Sequence, residues 1–519
     1  MKNIVFITCA ILFFLYEPGY SQDQKNKKPN VIRGAFLQSA STNRIVIRWR
    51  TDIACNSYVR YGSLTSILTH VVADSQLVTD HIVTVVGLKP YKKYYYSVGT
   101  EKQTLQTGPN NYFTTFPLPG TIGSYRIAAV GDCGNNSVNQ RQVRDQLIKY
   151  VGNRNLDAWI LLGDNAYSSG RDAEFQSNFF NIYKDNLLPK YSLFPSPGNH
   201  DYKDGDPVDE ASAQITHKMA YFRNFTLPVN GESGGVSSHN PAFYSFDLGN
   251  IHFLSLDSYG KEEKKYRLSD TLGPQVQWIK KDLEANKNKG WIIAYWHHPP
   301  FTMGSHNSDE EEELVHIREN FIRILERYGV DLILCGHSHD YERSKLMQGY
   351  YGMEKEFDAS KYLVNTSSGF YDGSANSCPF LKNSASGYKG TVYVVSGSAG
   401  QLGGQQSTFP HDAMPYSNAD NGGVSMLEIN DNRLDLKWLC ADGQIRDHFT
   451  MMKEVNRDTT IHVKKGRTAT LTASYIGKYF WSSGNAHSRS IKVNPVSSTI
   501  YEVTDNLNCV KDRFDVKID

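Results

Sequence analysis

No apolar run in this chain approaches the ~20 residues that a membrane-spanning helix needs. There is no CxxC pair, no short-period repeat and no excess of either charge sign. The 519 residues carry 55 Lys and Arg against 54 Asp and Glu, a net charge of +1, which excludes a protein built to coat nucleic acid. Seven widely spaced cysteines make neither a zinc knuckle nor a disulfide scaffold. A composition 39% hydrophobic and 21% charged excludes wholesale disorder, collagen and coiled coil. The length corresponds to roughly two to four domains.

What is present begins with an address. Lys2, the apolar run from Ile4 to Tyr16, and then Pro18, Gly19 and Ser21 spell a secretory signal peptide over residues 1–21. The run is short for a membrane anchor. The expected location is therefore secreted, periplasmic or cell-surface, where disulfides form. Cys55, Cys133, Cys335, Cys378, Cys440 and Cys509 would remain after cleavage, and Cys378 and Cys440 are candidates to pair.

From Val31 to about Phe116 short alternating runs such as RIVIRWR predict a β-sandwich, with Trp49 as its core tryptophan. Leu88 to Tyr94 has the spacing of a tyrosine corner, and FPLPG (116–120) predicts a linker. From Ser124 onward, apolar strands alternate with helical patterns, which predicts an α/β domain with buried strands. EEELVHIRENFIRILERYG places Leu314, Ile317, Phe321, Ile324 and Leu325 on one helical face. Its four leading acids suit a helix N-terminus and are expected to be solvated charge rather than ligands. Residues 348–390, rich in Tyr, Gly and Ser, form a long loop-like stretch. Beyond about Asp458 the pattern is all-β again, with Trp481 as the expected core tryptophan of an immunoglobulin-like module.

Polar residues crowd the ends of the apolar runs. Asp132 follows AAVG, and Asp164 follows ILLG, with Asn165 and Tyr167 just behind. Asn199, His200 and Asp201 follow FPSPG, His297 and His298 follow IIAYW, and His337 and His339 follow LILCG. Ligands of open α/β sheets bind at the carboxyl ends of strands, so these ends converge on one crevice. Oxygen and imidazole donors without thiolate suit Fe, Mn or Zn. The donors exceed the needs of one ion, which implies a pair; a metal pair clamps both oxygens of an in-line phosphoryl displacement. A glycine immediately before Asp132, Asp164, Asn199 and His337 lets the chain turn sharply off its strand. Singly, each motif is weak, because a lone Gly-Asp after a strand is usually a turn. The ordered series of five is what points to chemistry.

That series, GDCG (131–134), GDNAY (163–167), GNHD (198–201), HHPP (297–300) and GHSHDYERS (336–344), resembles the calcineurin-like metallophosphoesterases. More narrowly, it resembles the purple acid phosphatases. Tyr167, three residues after Asp164, stands where those enzymes carry an iron-binding tyrosinate, and GHSHDYERS is close to their GHxHxYER signature. A fibronectin type III-like sandwich precedes the catalytic domain, as in their long forms. The resemblance covers about residues 31–453. It implies an α/β catalytic domain, a metallophosphoesterase β-sandwich flanked by helices, with an all-β sandwich domain on either side. The expected division is a signal peptide (1–21), the fibronectin-like domain (31–117), the catalytic domain (122–455) and the immunoglobulin-like module (456–519).

By the same resemblance Asp132, Asp164, Tyr167 and His339 would hold Fe(III). Asp164 would bridge to a second metal, Fe(II), Zn or Mn, completed by Asn199, His297 and His337. His200 would contact phosphate or the leaving oxygen, and His306, nine residues after His297, falls where the family has a substrate-side histidine. The expected activity is that of a secreted acid phosphatase hydrolysing phosphomonoesters by attack of a metal-bound hydroxide on phosphorus. A phosphodiesterase or nucleotidase on the same scaffold is the nearest alternative; a secreted binding protein with a relic catalytic domain is the more distant one. No nucleic-acid polymer and no membrane span are expected, and the last module would contact a surface or a glycan. Cys133 and Cys335 read as packing residues, His298 as orienting a ligand or packing, and Asp201 as orienting His200 or a ligand. Specificity is expected in 348–390 and in the loops around 202–240.

Overall fold

The computed structural model describes residues 27–203, 209–484 and 486–519; the expected signal peptide lies outside them. The centre of the molecule is two β-sheets packed face to face. In the first, Ser124–Val130, Ala158–Leu162 and Leu193–Ser196 run parallel. Gly423–Asn430, Arg433–Cys440 and Ile445–Lys453 extend that sheet antiparallel from its Ser124–Val130 side. In the second, Ile251–Ser255, Trp291–Tyr295, Leu332–Cys335 and Val392–Ser396 are all parallel.

The continuous apolar runs are explained by burial on both faces. Along Trp291–Tyr295 the odd residues Trp291, Ile293 and Tyr295 join the core between the sheets. The even residues Ile292 and Ala294 join a second core under the helices Pro274–Asn286 and Ile322–Arg327. Phe194 of the first sheet stacks on Phe246 of the second with ring centroids 3.9 Å apart. The helical stripe Leu314, Ile317, Phe321, Ile324 and Leu325 is buried as its spacing predicts.

The N-terminal sandwich does not stand apart from this scaffold. Its strand Val31–Gln38 pairs parallel with Leu193–Ser196 through Gln38 and Leu193, so its strands continue a 13-stranded sheet. Buried Arg33 clamps the join, bonding Asp172, Gln176 and Asn224. Trp49 is buried and stacks on His81, and Tyr94 Oη accepts the Lys89 N–H at 3.0 Å. In the C-terminal module a separate small core surrounds Trp481.

The disulfide joins Cys378 to Cys509, not to Cys440. Cys440 ends an inner strand of the first sheet, with its thiol free and buried. The part of the long stretch around Tyr371 and Cys378 holds the C-terminal module. Tyr371 Oη donates to Asp505 at 2.8 Å beside the disulfide. The bond closes a loop of 131 residues, worth about 3–5 kcal/mol in lost unfolded-chain entropy. Cys509→Ser is expected to lower the melting temperature and to make the module the first segment released by limited proteolysis.

One buried ion cluster ties the second sheet to its helix. His252 donates to Asp247 at 2.8 Å and to Asp282, on Pro274–Asn286, at 2.5 Å. Burial opposes its charge, but the two carboxylates prevail and raise it to about 9. A histidine raised in the folded state contributes its full stability below its ordinary pKa and loses it as pH rises through the folded value. Chemical denaturation across pH 6 to 10 should therefore show stability falling towards pH 9, with that slope reduced in His252→Gln.

Candidate metal centre

Each candidate donor sits just past a strand end of the two central sheets. Asp132 follows Ser124–Val130, Asp164 follows Ala158–Leu162, Asn199 follows Leu193–Ser196, His297 follows Trp291–Tyr295 and His337 follows Leu332–Cys335. Asp132 (φ 55°), Asp164 (φ 51°) and His337 (φ 69°) occupy the left-handed backbone region. Side chains other than glycine rarely adopt it, and such strain concentrates at functional sites.

The donors gather in two adjoining lobes. In the first, Tyr167 Oη donates to Asp132 Oδ1 at 2.9 Å and lies 3.3 Å from His339 Nε2. Donor atoms of Asp132, Asp164 and His339 all lie within 4.8 Å of one another. In the second, His297 Nδ1–H donates to the Leu162 carbonyl at 2.9 Å, which leaves Nε2 as an acceptor. That nitrogen faces Asn199 Oδ1 at 3.0 Å, His337 Nδ1 at 3.2 Å and Asp164 Oδ1 at 3.3 Å. His337 directs its other nitrogen, Nε2, to Glu311 at 3.2 Å. Acceptor atoms thus confront one another at hydrogen-bond distance, an arrangement that a cation satisfies and a neutral pocket does not.

The local field agrees. Burial would raise the Asp164 carboxyl, but His297 and His200 outweigh it and hold it well below the usual range. Burial opposes the His297 imidazolium, yet Asp164 raises it to about 9: a proton on Nε2 can take the place of an ion in supplying the positive charge that the facing acceptors favour. Burial, then His306 and His297, lower His337 to about 3 against the pull of Glu311, which keeps it the neutral imidazole a metal ligand must be. Burial, Asp132 and Asp164 push the Tyr167 phenol well above its ordinary value. Only a strongly Lewis-acidic ion would hold it there as phenolate.

Residues 125–341 match the calcineurin-like phosphoesterase family model. Purple acid phosphatase 15 of Arabidopsis thaliana is 28% identical over 337 residues, which cover 57% of this chain and 58% of that protein. Acid phosphatase type 7 of Danio rerio is 24% identical over 455 residues, covering 79% and 89%. The matched region thus spans between half and three-fifths of the length of the Arabidopsis purple acid phosphatases 15, 23 and 21. The chain carries a calcineurin-like phosphoesterase domain and is similar in sequence to purple acid phosphatases. A purple acid phosphatase from yellow lupin (Lupinus luteus) seeds shares its fold, with a TM-score of 0.62 at 18% identity over 82% of this chain and 74% of that one. PhoD shares the fold with a TM-score of 0.57 at 12% identity, over 82% and 91%.

Around the crevice the flanking histidines differ in setting. His200 donates Nδ1–H to the Ser168 carbonyl at 2.7 Å, and its Nε2 lies 3.9 Å from Asp164 Oδ2 at the crevice. His306 packs its ring 3.8 Å from that of His337 and donates to Glu311 at 2.8 Å. His298 is buried, bonds Ser258 at 2.8 Å and tilts against the His337 ring at 4.3 Å. Cys133 is buried and its thiol is pushed up by that burial to about 12, in keeping with packing.

Asp201 takes the second of its two expected roles, and the expectation for the acids at 310–313 is corrected. The side chain of Asp201 does not bond His200; it accepts the Asn165 and Gly198 amides and the Asn165 side chain, and so ties two donor-bearing loops together. The acids at 310–313 are not all solvated helix-start charge, because Glu311 turns inward to His306 and His337. The periodicity that could assign Glu311 to a face begins only with the helix at Glu312, one residue after it.

Glycine is required here chiefly for room. A Cβ on Gly198 would lie 2.2 Å from Asp164 Oδ1, and one on Gly163 would lie 2.5 Å from His297 Nδ1. Gly198→Ala is therefore expected to displace Asp164, lower the metal content per chain and cost about 10²-fold in activity. Elemental analysis after gel filtration, beside an unchanged far-ultraviolet dichroism spectrum, checks it.

Proposed function

We propose that the chain is a secreted dinuclear-metal phosphatase acting on phosphomonoesters. The observation that carries the reading is the set of acceptor atoms facing one another at the shared Asp164 carboxylate. Asp132, Asp164, Tyr167 and His339 would hold Fe(III); Asp164, Asn199, His297 and His337 would hold a divalent Fe, Zn or Mn. Bound there, the pair supplies Lewis acidity to phosphate oxygens and to water.

The remaining work falls to this chain's own groups. The His200 backbone amide donates to Asp164 Oδ1 at 2.8 Å, which fixes the carboxylate shared between the two lobes. With Nδ1 committed to Ser168, His200 presents Nε2 to the crevice, where it would bind phosphate or pass a proton to the leaving oxygen. His306, with Nδ1 committed to Glu311, would act likewise through Nε2 when that nitrogen is protonated. A disulfide between Cys378 and Cys509 supports an oxidising compartment and hence export. No helix among the described residues is long and apolar enough to cross a membrane.

The test is the visible spectrum and metal content of the purified protein beside Tyr167→Phe, with turnover of a phosphomonoester and a phosphodiester. The expected result is two ions per chain, a tyrosinate-to-iron band lost in the variant, and monoester turnover. A colourless protein with two divalent ions would remove Fe(III) from the proposal. Preference for the diester would transfer the activity to the alternative reading.

A further inference from the structure

We infer that Glu311 is a positioning residue whose single carboxylate sets which nitrogen carries the proton in two histidines of the centre at once, His337 and His306. This rests on the two-metal reading above and adds to it a residue that no motif marks.

The argument is one of hydrogen-bond capacity. A neutral imidazole carries one N–H and one acceptor nitrogen, whereas a carboxylate only accepts. Glu311 Oε2 lies 3.2 Å from His337 Nε2. Glu311 Oε1 lies 2.8 Å from His306 Nδ1 and accepts the Asn307 amide at 3.1 Å. Both imidazole nitrogens that face Glu311 must therefore bear hydrogen. The opposite nitrogens, His337 Nδ1 and His306 Nε2, are left with lone pairs. His337 Nδ1 is the atom that meets His297 Nε2 at 3.2 Å in the second lobe. The proton placement that frees it for a metal is thus dictated from the far side of the ring. A carboxylate behind a ligating histidine fixes its orientation and raises its basicity.

Neighbouring acids do not share this position. Glu312 is 81% exposed and pairs weakly with His316 at 3.9 Å along its own helix. Glu311, at the start of that helix, is 35% exposed and spends both oxygens on the centre. It also braces the 3.8 Å stack of the His306 and His337 rings.

Glu311→Gln preserves shape but removes the charge and turns one of the two acceptor oxygens into a donor, so the two histidines no longer face a pair of anionic acceptors. A single uncharged oxygen is then left to accept from both rings, and it holds their tautomers less firmly. The experiment measures metal binding in the full-length protein by competition with a chelating dye, for wild type, Glu311→Gln, Glu311→Ala and Glu312→Gln. The expected result is a second ion held about 10–100-fold more weakly in both Glu311 variants. The first ion and the tyrosinate band should be retained, and Glu312→Gln should match wild type. Wild-type affinity for the second ion in Glu311→Gln overturns the inference, and so does an equal loss in Glu312→Gln, which would reduce the effect to general helix-start charge. A wild type that binds fewer than two ions overturns the two-metal reading and this inference with it. Glu311→Gln is nearly isosteric, so the comparison survives even if Glu311→Ala does not fold.

Discussion

The site depends on electron-rich atoms being held against one another. His297 Nε2, His337 Nδ1, Asn199 Oδ1 and Asp164 Oδ1 meet at 3.0–3.3 Å, and the contact is unfavourable until positive charge enters it. Such a cluster persists only when surrounding structure over-determines the position of each member. Much of the architecture follows from that need. Two sheets buried on both faces deliver the donors from rigid strand ends rather than from free loops. Left-handed turns at Asp132, Asp164 and His337 aim them inward. Glycines at 163 and 198 leave the space through which donor side chains pass.

A second layer of contacts holds the first in register. The Leu162 carbonyl, at the end of the strand that also carries Asp164, fixes the His297 tautomer. Asp201 gathers the amides of the loops bearing Asp164 and Asn199. Glu311 closes the opposite side, reaching two histidines from a helix that belongs to the second sheet's outer layer. Each partner is a backbone group or a side chain from a different element, so the centre is assembled by packing and not by any single motif. The outer domains are stapled to the same body. The N-terminal sandwich shares a sheet with the strand that precedes Asn199, and the C-terminal module is bound by a disulfide and by Tyr371.

Much of the fold and of the donor set was legible in the chain. Buried parallel strands need unbroken apolar runs, and IIAYW or LILCG state that need directly. The helix stripe from Leu314 to Leu325 was legible because a 3.6-residue period has one meaning. The motifs marked Asp132, Asp164, Tyr167, Asn199, His297, His337 and His339, because polar residues after such runs have few structural uses. Contacts made across the fold were not legible. The partner of Cys378 is Cys509 rather than the candidate Cys440, and the chain leaves this open because distance along it carries no information on thiol geometry. The chain leaves Asp201 a choice between His200 and a ligand, and only the fold shows its oxygens facing backbone amides 3 and 36 residues away.

By itself, then, the sequence determined the buried apolar strands and the helix stripe, the strand ends that carry chemistry and the chemical type of each donor. Those properties are local; they follow from side-chain polarity and from the periods of helix and strand. Tertiary structure alone decided which acid of the run at 310–313 faces the centre, which cysteines join, and which nitrogen of His297 and His337 is free. These depend on hydrogen-bond partners brought from 135 residues away, as with Leu162 and His297, or 26, as with Glu311 and His337. Such partners meet only when the sheets have closed on each other.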